Sequence, residues 1–146
     1  MRDSLICFIF LLSVLSIQAQ GKDEAIFFSP TDQVSRFHTI SDLEDLKKGD
    51  LIKLYQERVK EILTVLPLLS LANEPNVRLQ DVGIKEDSGH LKILKKKKDA
   101  TQDNVENTTQ AIEELVAYAD TEKIIWTILY YEEIIKKMRI GVQGGY

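Results

Sequence analysis

An unbroken alternation of three- and four-residue steps runs through residues 91–119. Leu91, Leu94, Lys98, Thr101, Val105, Thr108, Ile112, Leu115 and Ala119 fall on it in turn. That spacing holds one seam on one side of a helix and suits side-by-side helix packing. At 1.5 Å per residue, the helix it predicts is roughly 45 Å long. Its ends are apolar and its middle, residues 98–108, is polar. It is therefore expected to pack well at both ends and less well between them.

Two further seams surround it. Ile52, Tyr55, Val59, Ile62, Leu66 and Leu69 step by three and four, with Lys53, Glu57, Lys60 and Glu61 assigned to the other faces. Pro67 lies within this run, where it removes a backbone donor and clashes with the preceding turn, so a kink or stop is expected. Ile124, Ile128, Tyr131, Ile135 and Met138 repeat the spacing in the last segment, and Gly141 is a natural stop. Ser41 and Glu44 have capping-box spacing and predict a short helix to Lys48, with Asp50 capping the next one. Between the first and second seams, Leu79, Val82 and Ile84 are placed to plug one end of the assembly, and Asp87 or Ser88 to cap the long helix. No strand pattern of useful length occurs. The class is all-α. Short or moderate links favour antiparallel neighbours, and a small antiparallel three-helix bundle with a short extra N-terminal helix is the simplest arrangement.

The 146 residues suffice for one domain. Arg2 precedes an apolar run from Leu5 to Ile17, followed by Gln18, Ala19, Gln20 and a charged stretch. A basic start, a short apolar run and a small residue before polar sequence describe a secretory signal peptide over residues 1–20. The run is short for a membrane span of about 20 residues. The expected mature chain is exported to the periplasm or extracellular space and does not span a membrane. Cys7 is the single cysteine and lies in this leader, so thiol catalysis and thiolate metal sites are not expected after its removal. Residues 21–40, broken by Pro30 and carrying Phe27, Phe28 and Phe37, read as an irregular arm. Residues 41–140 form the helical domain, and residues 141–146 a flexible tail.

Chemistry-bearing residues are sparse. His38 and His90 read as surface histidines, because Glu86 and His90 alone are too few ligands for a metal. The pairs Glu113–Glu114 and Glu132–Glu133 point about 100° apart on a helix and do not converge on one atom. Glu132 borders a seam and reads as a flank that reaches water or a lysine. No nucleophile elbow or phosphate loop is present, and no cofactor is implied. Asn107-Thr108-Thr109 matches a glycosylation acceptor pattern but lies mid-helix, where it reads as chance. The formal charge is −4 with a pI near 5.2, which disfavours nucleic acid as a partner.

Two surfaces remain. Lys92, Lys95, Lys96 and Lys97 form a run that reads either as a solvated overhang or as a contact for an anionic surface. On the last helix, counting from Ile124, Trp126 lies about 200° and Tyr130 about 240° round, with Ile134 extending the stripe. That helix is apolar nearly all round in its first half, so Trp126, Tyr130 and Ile134 require cover. The arm's phenylalanines are one candidate; a second copy or a foreign protein is the other. The expected function is macromolecular binding or self-assembly by a non-enzymatic exported protein. The alternative is an apolar small-molecule site beside Thr101 and Thr108, where the long helix is least packed. An enzyme using Glu132 with Tyr131 or Tyr55 is a third reading, without a supporting constellation.

Overall fold

The computed structural model describes residues 24–140. The signal-peptide assignment and the tail both lie outside this range. The described chain is mostly helical, and no strand forms within it. The helices are α1 (Ile40–Glu44), α2 (Lys48–Val65), α3 (Ser88–Val116) and α4 (Thr121–Ile140). None is long and apolar enough to cross a membrane.

The helix starts follow from capping chemistry. Asp87, one of the two expected candidates, caps α3 by accepting from the His90 N–H. The α1 cap differs from the sequence reading. Thr39, not Ser41, accepts from the Asp42 N–H, and the Asp42 carboxylate accepts back from the Thr39 N–H. The reciprocal motif tolerates Asp in place of Glu, so it forms two residues earlier. α1 then ends at Glu44, and α2 starts at Lys48 with Gly49 inside its first turn. Pro67 ends α2 as expected: the chain tightens into a 3-10 turn at Leu66–Leu68.

α2 is the central element, packing against both α3 and α4 more extensively than those two pack on one another. Gln56 Nε2 donates to the Thr109 carbonyl, and Val65 shares a cluster with Leu94, so α2 and α3 are antiparallel. Tyr55 meets Tyr131, Arg58 meets Glu132 and Glu61 meets Arg139, so α2 and α4 are parallel. Two apolar clusters close the ends. One joins Phe27, Phe28, Val65, Leu79, Leu94 and Met138. The other joins Leu43, Leu51, Ile124, Ile125 and Ile128.

The seams are observed with two departures: Leu66, where Pro67 ends α2, is 47% exposed, and the long seam of α3 leaves the interface near its end. Leu94, Val105 and Ile112 are buried as expected, but Leu115 is 70% exposed and Val116 packs inward in its place. A strict 3.5-residue pattern drifts by about 20° per heptad on a straight helix, and by the third heptad it has left the interface. The Leu79–Ile84 connection plugs one end as expected. It turns through a 3-10 element at Gln80–Val82 that closes on Gly83 at φ 80°, a left-handed conformation where a side chain would be strained.

The arm is ordered by backbone pairing as well as by its phenylalanines. The Phe27 N–H donates to Val77 O and the Leu79 N–H to Ala25 O, both at 3.0 Å. Phe27 and Phe28 enter the core beside Leu94 and Met138.

Candidate functional site

Three features lie outside ordinary apolar packing: a buried charged layer, an aromatic face and a lysine-edged cleft.

The charged layer joins α2, α4 and the arm. Arg58 and Glu132 are each 1% exposed, and Glu61 is 0% exposed. Arg58 Nη2 and Nε both donate to Glu132 Oε1, at 2.8 and 3.1 Å. Arg139 grips Glu61 two-handed, Nη2 to Oε2 at 2.8 Å and Nε to Oε1 at 3.0 Å. Arg58 Nη1 also donates to the Leu54 carbonyl and the Glu57 carboxylate within α2, and each of the four side chains makes a further bond to arm backbone. Glu61 accepts from the Val34 N–H at 2.6 Å, while Arg139 donates to the Val34 carbonyl at 2.8 Å. Arg58 donates to the Arg36 carbonyl at 2.9 Å, and Glu132 accepts from the His38 N–H at 2.8 Å. The alternate residues 34, 36 and 38 present the same edge of an extended segment. Side chains of two helices thus occupy the place of a neighbouring strand. Phe37 lies against the cations of the same layer, 5.2 Å from Lys136 Nζ and 5.0 Å from Arg139 Cζ.

This layer corrects three sequence assignments. Glu61 is not on a solvated face, Glu132 is not a flank reaching water, and His38 is not a surface histidine. Its Nδ1 lies 3.1 Å from Glu132 Oε1 and 3.0 Å from Arg58 Nη2. Arg58 escaped notice altogether. A hint was present in its spacing: Leu51, Arg58, Glu61 and Val65 form a second three-four seam one position from the apolar one. Chemically the layer is saturated. Both Glu132 oxygens are engaged, Oε1 by Arg58 and the His38 ring and Oε2 by the His38 N–H, so the carboxylate holds the arm to α4. Among the described residues, no buried side-chain nitrogen or oxygen lacks a partner, and no cluster of three or more His, Cys, Asp or Glu is placed to hold a metal ion.

Tyr55 stacks on Tyr131 next to this layer, ring centroids 5.3 Å apart and hydroxyls 3.4 Å apart. Burial, then the hydrogen bond to Tyr131 and its charge, push Tyr55 up to about 12. A raised phenol holds its proton longer in the folded state than in the unfolded one. Its contribution is therefore complete below about pH 10 and is lost as pH rises from there towards 12. Ultraviolet titration of the phenolates is expected to show a late component that Tyr55→Phe removes. A single transition at ordinary tyrosine pH in both proteins would contradict it.

The aromatic face is on α4. Trp126 is 55% and Tyr130 66% exposed, one turn apart, while Ile124, Ile128 and Ile135 are buried on the opposite side. With Thr127, Leu129 and Glu133 they border a shallow groove. Residues 24–40 of the arm leave them exposed; the arm's phenylalanines are committed to the core and to the charged layer. Ile134, the third residue of the predicted stripe, is half-buried and packs on the core cluster.

The lysine run starts on the exposed side of α3 and turns inward. Lys92, Lys95 and Lys96 are exposed, with Lys95 paired to Asp99 at 3.1 Å. Lys97 is half-buried and donates to Thr101 Oγ1 at 2.6 Å. It enters a cleft of about 400 Å³ between the arm, α2 and the middle of α3. The cleft lies beside Thr101, where reduced packing was expected, but does not reach Thr108.

No protein-family model, curated protein or solved structure matches this chain. The chemistry of these surfaces is thus the basis for a functional reading.

Proposed function

We propose that this chain is an exported, non-enzymatic protein, an antiparallel three-helix bundle once its leader is removed, that binds another macromolecule through Trp126 and Tyr130 on α4. The observation that carries the reading is the exposure of these two large aromatics, one turn apart, on a helix whose other side is fully packed. Trp and Tyr are the residue types that most often anchor protein interfaces, because each buries a large rigid area at small entropic cost. Ile134 is half-buried against the core cluster and is not part of the exposed face. The exposed Lys92, Lys95 and Lys96 offer a separate electrostatic contact for an anionic surface. Saturation of the Glu132 layer supports the non-enzymatic part of the reading.

A photo-crosslinking amino acid in place of Tyr130, expressed in the native host, tests the proposal. A discrete adduct is expected from this position and not from the exposed Glu113 on α3. Its mass separates a second copy of the chain from a foreign partner. Identical adduct patterns at the two positions, or none at Tyr130, would overturn the reading.

A further inference from the structure

We propose that the cleft between the arm, α2 and α3 binds a single-chain anionic amphiphile, a long-chain carboxylate held as a free monomer. This site shares no residue with the Trp126–Tyr130 face, so the two readings stand or fall separately.

The cleft has two chemically distinct parts. Phe28, Leu94 and Val105, each more than nine-tenths buried, and Leu68 form an apolar floor. The edge carries Lys60, Lys97 and Lys98 against one carboxylate, Asp32. Lys60 is bridged to Asp32 at 3.2 Å; partial burial pushes the Asp32 carboxyl up, but the bonds it accepts from the Ser29 N–H and hydroxyl, and then the Lys60 ammonium, outweigh this and hold it below its ordinary pKa. Lys97 has a different partner. Its ammonium donates to Thr101 Oγ1, which leaves the Thr101 hydroxyl its own proton to donate. An ammonium and a hydroxyl donor therefore stand together at the mouth of an apolar recess.

That pairing selects the ligand class. A small inorganic anion would meet the donors but leave the floor wet. A neutral hydrocarbon would cover the floor while stripping water from the ammonium groups, which is unfavourable without compensation. A molecule with an anionic head and an aliphatic body satisfies both parts. The volume of about 400 Å³ lies near the lower end of small-ligand sites and suits one chain. The cleft itself arises from the polar middle of α3: residues 98–104 bring no large apolar side chain to fill the space between arm and helix.

Calorimetric titration of the purified protein with dodecanoate, kept below its micelle concentration, tests the site. Saturation at one equivalent is expected, with affinity about ten-fold or more above that for dodecanol, in keeping with a charged hydrogen bond. Thr101→Phe should abolish binding by filling the recess, and Lys97→Glu should weaken it by about ten-fold or more. Thermal melts establish that each variant is folded, and Lys97→Glu, a change at a half-exposed ammonium, keeps the test open if Thr101→Phe does not fold. Equal affinity for the alcohol, absence of saturation, or indifference to Lys97→Glu would overturn the proposal. Association seen only with anionic phospholipid vesicles, and retained by Thr101→Phe, would also overturn it and identify the lysine run as a membrane-surface contact.

Discussion

Arg58→Ala is expected to destabilise the protein by about 3–5 kcal/mol, the characteristic effect of leaving one member of a buried ion pair alone. The partner left behind is Glu132, 1% exposed, with only His38 still beside it. The Arg36 carbonyl loses its donor in the same substitution. Urea denaturation followed by far-ultraviolet circular dichroism measures the change. Raising salt should restore little, because a pair this deep is poorly screened. The double variant Arg58→Met/Glu132→Leu is expected to recover most of the loss, since apolar groups of similar size avoid the desolvation of two charges. It should not recover the hold on the arm. The His38 amide would exchange with deuterium faster in the double variant than in the parent, although the helices are stable in both. A change under about 1 kcal/mol for Arg58→Ala would mean the charged layer is hydrated and not structural.

The layer also explains what the sequence could and could not disclose. Helix positions were legible because long three-four patterns are a strong signal, and the α4 seam of Ile124, Ile128, Ile135 and Met138 is buried as the pattern requires. Caps shifted by two residues at α1, since several Ser, Thr and Asp lie close together there and only packing selects among them. The central role of α2 was hidden for a different reason. A helix packed on two partners needs two seams, and the α4-facing seam of α2 is occupied by Arg58 and Glu61. A hydrophobicity pattern assigns such residues to solvent, because unpaired charges belong there. Their partners Glu132 and Arg139 lie more than seventy residues away in sequence, and nothing local announces the pairing. The aromatic face was the opposite case. Helical geometry placed Trp126 and Tyr130 together correctly, but whether the arm reached them depended on tertiary packing. Phe27 and Phe28 have the same composition and spacing whether they pack on α4's outer face or beneath α3.

That distinction makes Phe27→Ala informative. Phe27 is buried beside Val65, Leu79, Leu94 and Met138, in the cluster that closes one end of the molecule. Removing a buried phenylalanine ring loses its transfer energy and leaves a void, and a loss of about 3–5 kcal/mol is expected. The arm is fastened on both sides of this residue, by the Leu79-to-Ala25 hydrogen bond before it and by the charged layer after it. Backbone collapse into the void is therefore restricted, which favours the upper part of that range. Trp126 should be blind to the substitution. The indole is already 55% exposed and touches none of the cluster around Phe27. Its native emission is expected to be red-shifted and readily quenched by iodide, identically in parent and variant, at every protein concentration where the chain is monomeric. The same tryptophan then reports the loss of stability only through the midpoint of unfolding. A blue-shifted parent that moves to the red in Phe27→Ala would show that the arm lies over α4's aromatic face. In that event Trp126 and Tyr130 would be core residues and would no longer offer a surface to a partner.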